Sequence, residues 1–327
     1  MNKKDNLKQV VETTLAEQKV PHVKLKRLGM EGVNIEKLTK PSKETRQEYW
    51  GKGLTSAAII LIIVLVASII GFIAVHGLAT FFQDHVNVLS FLTSADWEPS
   101  DGKNHVGAAA MIVTSFAVTI LAALVATPFA IAVALFMTEY SSKKGGKFLQ
   151  SVMELLVGIP SVVYGFLGLT IIVPVMRNLF GGTGFGILSA TLVLFVMVLP
   201  TITSLTVDAL KAVPKHYRQA SLALGATHWQ TIYKVVLRVA TPRIMTAVIF
   251  GMARAFGEAL AVQMVIGNAV LMPYNLVSPS ATLTSQMGNT VMGTLPNNAL
   301  WSLALLLLIM ALIFNFLVRL IGRKGQN

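Results

Sequence analysis

Long apolar stretches alternate along the chain with shorter polar segments. A membrane-spanning helix needs roughly 20 mostly apolar residues, and six stretches meet that requirement. They run from about residue 54 to 78, 107 to 137, 155 to 176, 187 to 207, 244 to 270 and 300 to 320. The first stretch begins too far from the N-terminus, and is too long, for a cleaved signal peptide. The pattern therefore predicts an all-α, polytopic membrane protein with six transmembrane helices.

Composition agrees with a membrane protein. Hydrophobic residues make up 54% of the 327 residues and charged residues only 13%, whereas soluble proteins carry about 25% charged residues. The chain has no cysteine, which excludes disulfides and iron–sulfur clusters. Its six histidines are scattered without the spacing of a metal site. The net charge of +12 lies in loops and tails, which argues against a DNA-binding face.

The basic residues predict the orientation in the membrane. Of the 27 lysine and arginine residues, 24 lie in one set of alternating segments, namely 1–52, 138–151, 208–243 and 319–327. The other set, 81–106, 177–186 and 271–299, holds only Lys103 and Arg177. Because basic loops stay on the cytoplasmic side, we expect both termini to be cytoplasmic.

Two polar segments have more than one interpretation. Residues 1–52 hold 12 basic and 7 acidic residues and are expected to form a cytoplasmic tail that is partly disordered. A short helix over 7–18 or a lipid contact through Lys24, Lys26 and Arg27 are the alternatives. The uncharged outer segment 271–299 either meets an external protein or is a plain connector.

The inner segment 208–243 is too polar to span the membrane, yet its pattern is helical. Pro214 suits a helix start, and the apolar residues after it recur at roughly helical spacing; they are Ala220, Leu224, Trp229, Ile232 and Val236. We expect a short helix parallel to the membrane that docks a soluble partner. No phosphate-binding loop is present, because the nearest match, 141–148, lacks the first glycine and the final hydroxyl. The chain is therefore not expected to be an enzyme that hydrolyses ATP alone.

Arg254 and Glu258 are charged residues inside the fifth apolar stretch. Placing a charge near mid-membrane costs roughly 2.5–3.5 kcal/mol on insertion scales. Their spacing of four predicts that they share one helix face. They either neutralise each other and hold the packing, or they line a substrate path in which Arg254 binds an oxyanion and Glu258 acts as a gate.

The third stretch opens with residues 158–165, a sequence rich in glycine that contains Pro160 and Ser161. Proline removes a backbone donor and loosens a helix, and the glycines permit close helix packing. Either this is a packing kink, or the helix is broken and its freed backbone lines the path.

The inner loop 217–232 resembles the Glu-Ala-Ala…Gly loop of ABC-importer permeases. In that family the loop forms a coupling helix that docks on the ATPase subunit. The triplet Gln219, Ala220 and Ser221 stands at Glu-Ala-Ala, and Gly225 at the family's glycine. Gln219 replaces the acid, and Arg238 stands where proline is usual. The resemblance implies ATPase docking through Tyr217, Arg218, Gln219, Ala220, Ser221 and Gly225, with Glu139 of the first inner loop.

Three further stretches resemble PstC-type phosphate permeases. They are residues 158–165, residues 137–140 (Met-Thr-Glu-Tyr) and residues 253–262 around Arg254 and Glu258. In that family the matching arginine and glutamate are tied to phosphate transport. The resemblance covers about residues 53–320 and leaves out the N-terminal tail.

The resemblance implies a six-span type I ABC-importer permease domain over 53–321, which includes the coupling loop 208–243, between cytoplasmic tails 1–52 and 322–327. A PstA-like permease, two PstB-like ATPase subunits and an extracellular PstS-like phosphate-binding protein would be its partners in a bacterial cytoplasmic membrane. ATP and magnesium would bind the ATPase, and this chain would bind no cofactor. A permease for sulfate, molybdate or phosphonate, an ion-driven secondary transporter, and a non-transporting membrane scaffold are the alternatives.

Overall fold

The computed structural model describes residues 43–99, 105–291 and 298–324, and in this part of the chain the regular elements are helices. We number them α1 Lys43–Phe82, α2 Val88–Thr93, α3 Ala109–Leu135, α4 Lys143–Gly158, α5 Ser161–Leu167, α6 Val173–Phe180, α7 Ile187–Lys211, α8 Lys215–Ala223, α9 His228–Thr231, α10 Leu237–Phe256, α11 Leu260–Ile266, α12 Leu283–Val291 and α13 Asn298–Lys324. Single π-helical turns connect three pairs of helices, at Phe136–Tyr140, Gly168–Ile172 and Ile232–Val236. The all-α prediction is confirmed.

Six helical segments in the described residues are long and apolar enough to cross a membrane, which confirms the predicted number. They are Trp50–Phe82, Ala109–Tyr140, Ser161–Phe180, Ile187–Lys211, His228–Phe256 and Asn298–Leu317. The third begins later than the sequence predicts, and the fifth begins and ends earlier. Both shifts arise because the helices break at positions that the hydrophobic pattern does not mark.

The chain divides into two compact units after Ser68. In the first, the described residues form the beginning of α1, and its large apolar side chains from Trp50 to Val66 are exposed. Such a surface suits lipid rather than water. The helix already begins at Lys43, so the last ten residues of the predicted tail are helical. Residues 1–42, with the rest of that prediction, lie outside the described residues.

In the second unit α7 is the most buried of the candidate spans. It packs chiefly against α3 and α10. The buried face of α3 carries small residues four apart, Ala122, Ala126 and Ala130, which let helices approach closely. Gly251 of α10 has the same effect, since a Cβ there would overlap the side chain of Ile202 on α7.

Two inner segments differ from the sequence predictions. The first, 138–151, is expected to be a loop, but α4 occupies most of it and continues to Gly158. The coupling loop is expected to be one helix as far as Val236, but α8 ends at Ala223 and a turn follows. Gly225 in that turn has φ of +80°, a conformation that costs other residues strain. Trp229 and Ile232 therefore belong to the helix that leads into the fifth span.

The outer segment between α11 and α12 is ordered and folds back onto the bundle. The Ser280 amide donates to the Ile266 carbonyl oxygen at 3.0 Å. The Leu283 amide donates to the Ser115 hydroxyl of α3, also at 3.0 Å. Residues 280–286 are buried as a result. Docking of an external protein on this segment stays a prediction.

Candidate functional site

Arg254 lies in the last turn of α10 and is half-buried. Its Nη1 donates a hydrogen bond of 2.6 Å to the Thr201 hydroxyl on α7. At 1.5 Å per residue, Thr201 lies about 21 Å from the start of α7 and about 15 Å from its end. The guanidinium group is therefore held well inside the membrane-spanning region, at the junction of the fourth and fifth spans.

The predicted common helix face of Arg254 and Glu258 is wrong. Helix α10 ends at Phe256, and Glu258 lies in the break before α11. Its carboxylate Oε1 accepts from the Ala261 amide at 3.2 Å, and its carbonyl oxygen accepts from the Thr284 hydroxyl at 2.8 Å. Within the described residues no ion pair joins it to Arg254. Arg254 and Glu258 therefore do not neutralise each other in the structure, contrary to the first of the two interpretations of this pair.

The helix predicted for the third apolar stretch is also broken, at Ile159 and Pro160, immediately before the third span. The break itself is the one that the second interpretation of this motif requires. Helix α4 ends at Gly158 and α5 begins at Ser161. The Tyr164 hydroxyl reaches back across the break and donates to the Leu156 carbonyl oxygen at 2.8 Å. Pro160 is exposed and Ser161 half-buried. Whether they line a substrate path stays a prediction.

The two broken segments pack against each other. Helix α5 contacts α11, and a Cβ at Gly165 would lie 2.9 Å from the Ala261 Cα. Only glycine allows so close an approach. The residues predicted from the third and fifth spans, about 90 positions apart in the sequence, therefore form neighbouring parts of one region.

Two residues of this region are not among those that the sequence singles out. Thr201 binds Arg254, and Thr284 binds the backbone of Glu258. The sequence carried a signal for Thr201, which follows Pro200 inside an apolar stretch. Its hydroxyl is a polar group in a span, and such groups need a partner. The position of Thr284 depends on the fold of the outer segment, and the local sequence carries no sign of it.

The coupling segment presents an apolar surface at the other end of the fifth span. Helix α8 runs from Lys215 to Ala223, beginning after Pro214 as predicted. The helix restarts at His228 after Thr227, whose side chain and that of Gln230 cap it reciprocally. Leu224 in the turn is 89% exposed. Large exposed side chains of this segment are Tyr217, Leu222, Leu224 and Trp229; we call them the docking surface.

The predicted docking residues fall into two groups. Tyr217, Gln219, Ala220 and Gly225 are exposed and available to a partner. Arg218, Ser221 and Glu139 instead make contacts within the chain. The Ser221 and Thr231 hydroxyls are 2.9 Å apart, and Arg218 binds the Glu139 carboxylate at 2.8 Å. Arg218 and Glu139 thus hold α8 to the end of the second span, and Ser221 joins α8 to α9.

Comparison with known proteins supports a transport family. Residues 126–325 match the family model described as binding-protein-dependent transport system inner membrane component. The probable ABC transporter permease protein YqgH of Bacillus subtilis is 47% identical over 303 residues, covering 90% of this chain and 98% of that protein. The phosphate transport system permease protein PstC of Mesorhizobium japonicum is 32% identical over 300 residues, covering 83% and 90%.

Solved structures support the fold. A bacterial ABC transporter that imports the acidic polysaccharide alginate superposes with a TM-score of 0.60 at 14% identity, covering 86% of this chain and 98% of the other. A chain of the MetNI methionine ABC transporter gives 0.52 at 21% identity, covering 65% and 93%. With its matched family model and relatives, this chain is a multi-pass membrane protein that belongs to the family of inner-membrane components of binding-protein-dependent transport systems, the ABC-importer permeases.

Proposed function

We propose that this chain is the permease subunit that carries inorganic phosphate across a bacterial cytoplasmic membrane, with both termini on the cytoplasmic side. The observation that carries the proposal is Arg254, a half-buried cation deep in the bundle whose partner is the neutral hydroxyl of Thr201. A guanidinium inside a membrane is energetically costly, so such a residue is a candidate for function, and its planar fork suits a tetrahedral oxyanion. The PstC relatives carry phosphate transport in their names, which supports phosphate as the anion.

The gate is assigned to the break after α10. Arg254 belongs to α10, whereas Glu258 lies beyond its end and binds the first turn of α11. A change in angle between α10 and α11 would alter the distance between the two charges. When the carboxylate approaches, it competes with the anion for the guanidinium, and when it withdraws, the anion can bind. Pro160 and Ser161 are assigned to the same path, since α5 packs on α11.

The energy source is assigned to a separate ATPase subunit, which binds ATP and magnesium. The docking surface supports this assignment, because exposed leucine and tryptophan side chains on a membrane protein's polar end mark a protein interface. Closure of a PstB-like ATPase dimer would move α8, and the bundle would alternate between states of different affinity. A PstA-like permease would complete the pore, and a PstS-like protein would deliver phosphate.

Uptake of radiolabelled phosphate tests the proposal. In cells that lack this chain, uptake at low phosphate concentration is expected to return only when the chain is restored. It should disappear when cellular ATP is depleted and should resist excess sulfate. Competition by sulfate would move the substrate to another oxyanion. Uptake that survives ATP depletion would instead indicate an ion-driven transporter.

Removing the Thr201 hydroxyl should weaken phosphate binding. In Thr201→Val the shape is kept, but Arg254 loses an acceptor and becomes free to change conformer. A lost hydrogen bond to a charged group is worth about 1.5–3 kcal/mol, so we expect the KM for phosphate to rise by about tenfold or more. Transport kinetics would measure it.

Thr203→Val is the matched control, because Thr203 is also buried on α7 but its hydroxyl donates to the Leu199 carbonyl oxygen of its own helix. An equal loss in both variants would show that any buried hydroxyl on α7 matters, and would contradict a specific effect through Arg254.

A further inference from the structure

Glu139 occupies an unusual position for a charged residue. It lies in the π-helical turn Phe136–Tyr140 that ends the second span, and its side chain is only 8% exposed. The turn is braced by a bond from the Thr138 hydroxyl to the Ala134 carbonyl oxygen at 2.9 Å. Extra residues in a helical turn rotate the side chains that follow. The carboxylate is thereby directed towards the coupling segment.

The partner of this carboxylate is on the coupling helix. Arg218 Nη2 donates to Glu139 Oε1 at 2.8 Å, although the two residues are 79 positions apart in the sequence. The same nitrogen donates to the Leu210 carbonyl oxygen at the end of α7, at 3.2 Å. His228 Nε2 lies 3.9 Å from the other carboxylate oxygen, and its ring meets the edge of Tyr140 at a centroid distance of 5.9 Å.

Four elements therefore meet at Glu139: the ends of α3 and α7, the coupling helix α8, and α9. The covalent chain joins α8 to α7 before it and to α9 after it. Neither connection reaches α3 or α4. The bond between Glu139 and Arg218 supplies a link from the coupling helix to the second span and to the helix that precedes the third.

This link resists separation. The side chain of Glu139 is 8% exposed and that of Arg218 is 27% exposed, and parting such an ion pair leaves a largely desolvated carboxylate without its partner. Movement of α8 is therefore expected to carry the turn after α3 with it. Coupling between distant sites can travel through packed helices that are joined by such salt bridges.

We propose that Glu139 and Arg218 form a latch that transmits movement of the coupling helix to the second and third spans. This inference rests on the proposed function, in which an ATPase moves α8. Without the latch, α8 would act directly on the fourth and fifth spans, and α3 and α4, which leads to the break at Pro160, would respond only through their packing on α7. Glu139 and Arg218 are positioning residues in this scheme, since they act through the helices that they join.

The first test measures phosphate transported per ATP hydrolysed, in proteoliposomes that contain the complex purified through a tag on this chain. Glu139→Ala and Arg218→Ala are each expected to lower this ratio by about tenfold, and the double variant no further. ATP hydrolysis and co-purification of the ATPase should persist. Glu154→Ala is the matched control, because Glu154 is exposed on α4 and binds Gln150 of its own helix. Additive losses in the double variant would overturn the latch.

The second test reads the movement itself and does not depend on activity. Since the chain has no cysteine, spin labels can be placed at Lys144→Cys on α4 and Lys215→Cys on α8. Their separation should stay constant when the complex is trapped with ATP and vanadate, and should change in Glu139→Ala. A change with both latch residues present would overturn the proposal. Failure of the unaltered chain to bind an ATPase would overturn the proposed function as well, whereas normal coupling in both alanine variants would overturn the latch alone.

Discussion

Arg254→Gln is expected to abolish phosphate uptake while the complex still assembles. Glutamine can keep a hydrogen bond to the Thr201 hydroxyl that Arg254 now binds at 2.6 Å, so the packing of α10 on α7 should survive. The positive charge and the planar fork are lost. Truncating one member of a buried charge pair costs roughly 2–5 kcal/mol or more, which corresponds to a loss of roughly 30-fold to several thousandfold in affinity. Uptake and co-purification of the ATPase would be measured on the same preparation.

Arg243→Gln is the control for this variant. Arg243 lies on the same helix, about three turns nearer its beginning, and is exposed. Its loss should leave uptake near the unaltered level. Loss of assembly in Arg254→Gln would favour a packing function for Arg254. Arg254→Lys separates charge from geometry, because lysine keeps the charge but cannot make a bidentate contact; we expect it to transport poorly.

Gly225→Asp is expected to uncouple ATP hydrolysis from transport. Gly225 has φ of +80° and a Cβ there would meet no atom of the chain within 4 Å. The new side chain therefore projects from the turn beside Leu224, on the docking surface. Strain at positive φ costs about 1–2 kcal/mol, and aspartate tolerates it better than most residues. The chain should fold, but a charge is added where the ATPase is proposed to bind. We expect phosphate transported per ATP to fall about tenfold or more.

Gly182→Asp provides a matched control at the other end of the bundle. Gly182 has φ of +71°, is exposed, and likewise has open space around its Cβ position. The two variants share the strain, the added charge and the lack of steric conflict. Normal coupling in Gly182→Asp with lost coupling in Gly225→Asp would support the docking surface. Equal coupling in the two variants would contradict it.

These two variants probe opposite ends of one pathway. The docking surface lies where the fifth span begins, and Arg254 lies near its end. Between them α10 is a helix of 20 residues with Pro242 inside it, about 30 Å long, and it connects the two regions directly. The latch at Glu139 would distribute the same displacement to other spans. Combining Arg254→Gln with Gly225→Asp should therefore give no greater loss of uptake than Arg254→Gln alone.

The residues around Arg254 show what the local sequence pattern could predict and what it could not. A charged residue in an apolar stretch is visible in any sequence, and its cost in a membrane follows from elementary electrostatics. The break at Gly257 was not visible, because residues 244–270 form one predominantly apolar stretch on both sides of the two charges. The helix ends there because other groups satisfy the backbone, among them the Thr284 hydroxyl that binds the Glu258 carbonyl oxygen. That partner comes from 26 positions away.

Glu139 shows the same limit at the other end of the bundle. Its resemblance to a family motif marks it as important, and an exposed contact with the ATPase is the natural expectation for an acid in an inner loop. Its burial follows from the π-helical turn and from Arg218, which no pattern over a few neighbouring residues can reveal. Helix α4 in the first inner segment was likewise not predicted. The apolar face of α4 is short, and the third apolar stretch follows it directly.

The sequence by itself determined the all-α class, the six spans and the helix start after Pro214. These depend on hydrophobicity, length and local backbone preference, which act over a few residues and scarcely on the rest of the chain. The tertiary structure alone decided where the third and fifth spans break, that Thr201 holds Arg254, and that Glu139 faces inward to Arg218. Each of these features depends on which polar groups pair inside the bundle. In a membrane a buried polar group must find its hydrogen-bond partner within the protein, and that partner can lie far away in the sequence.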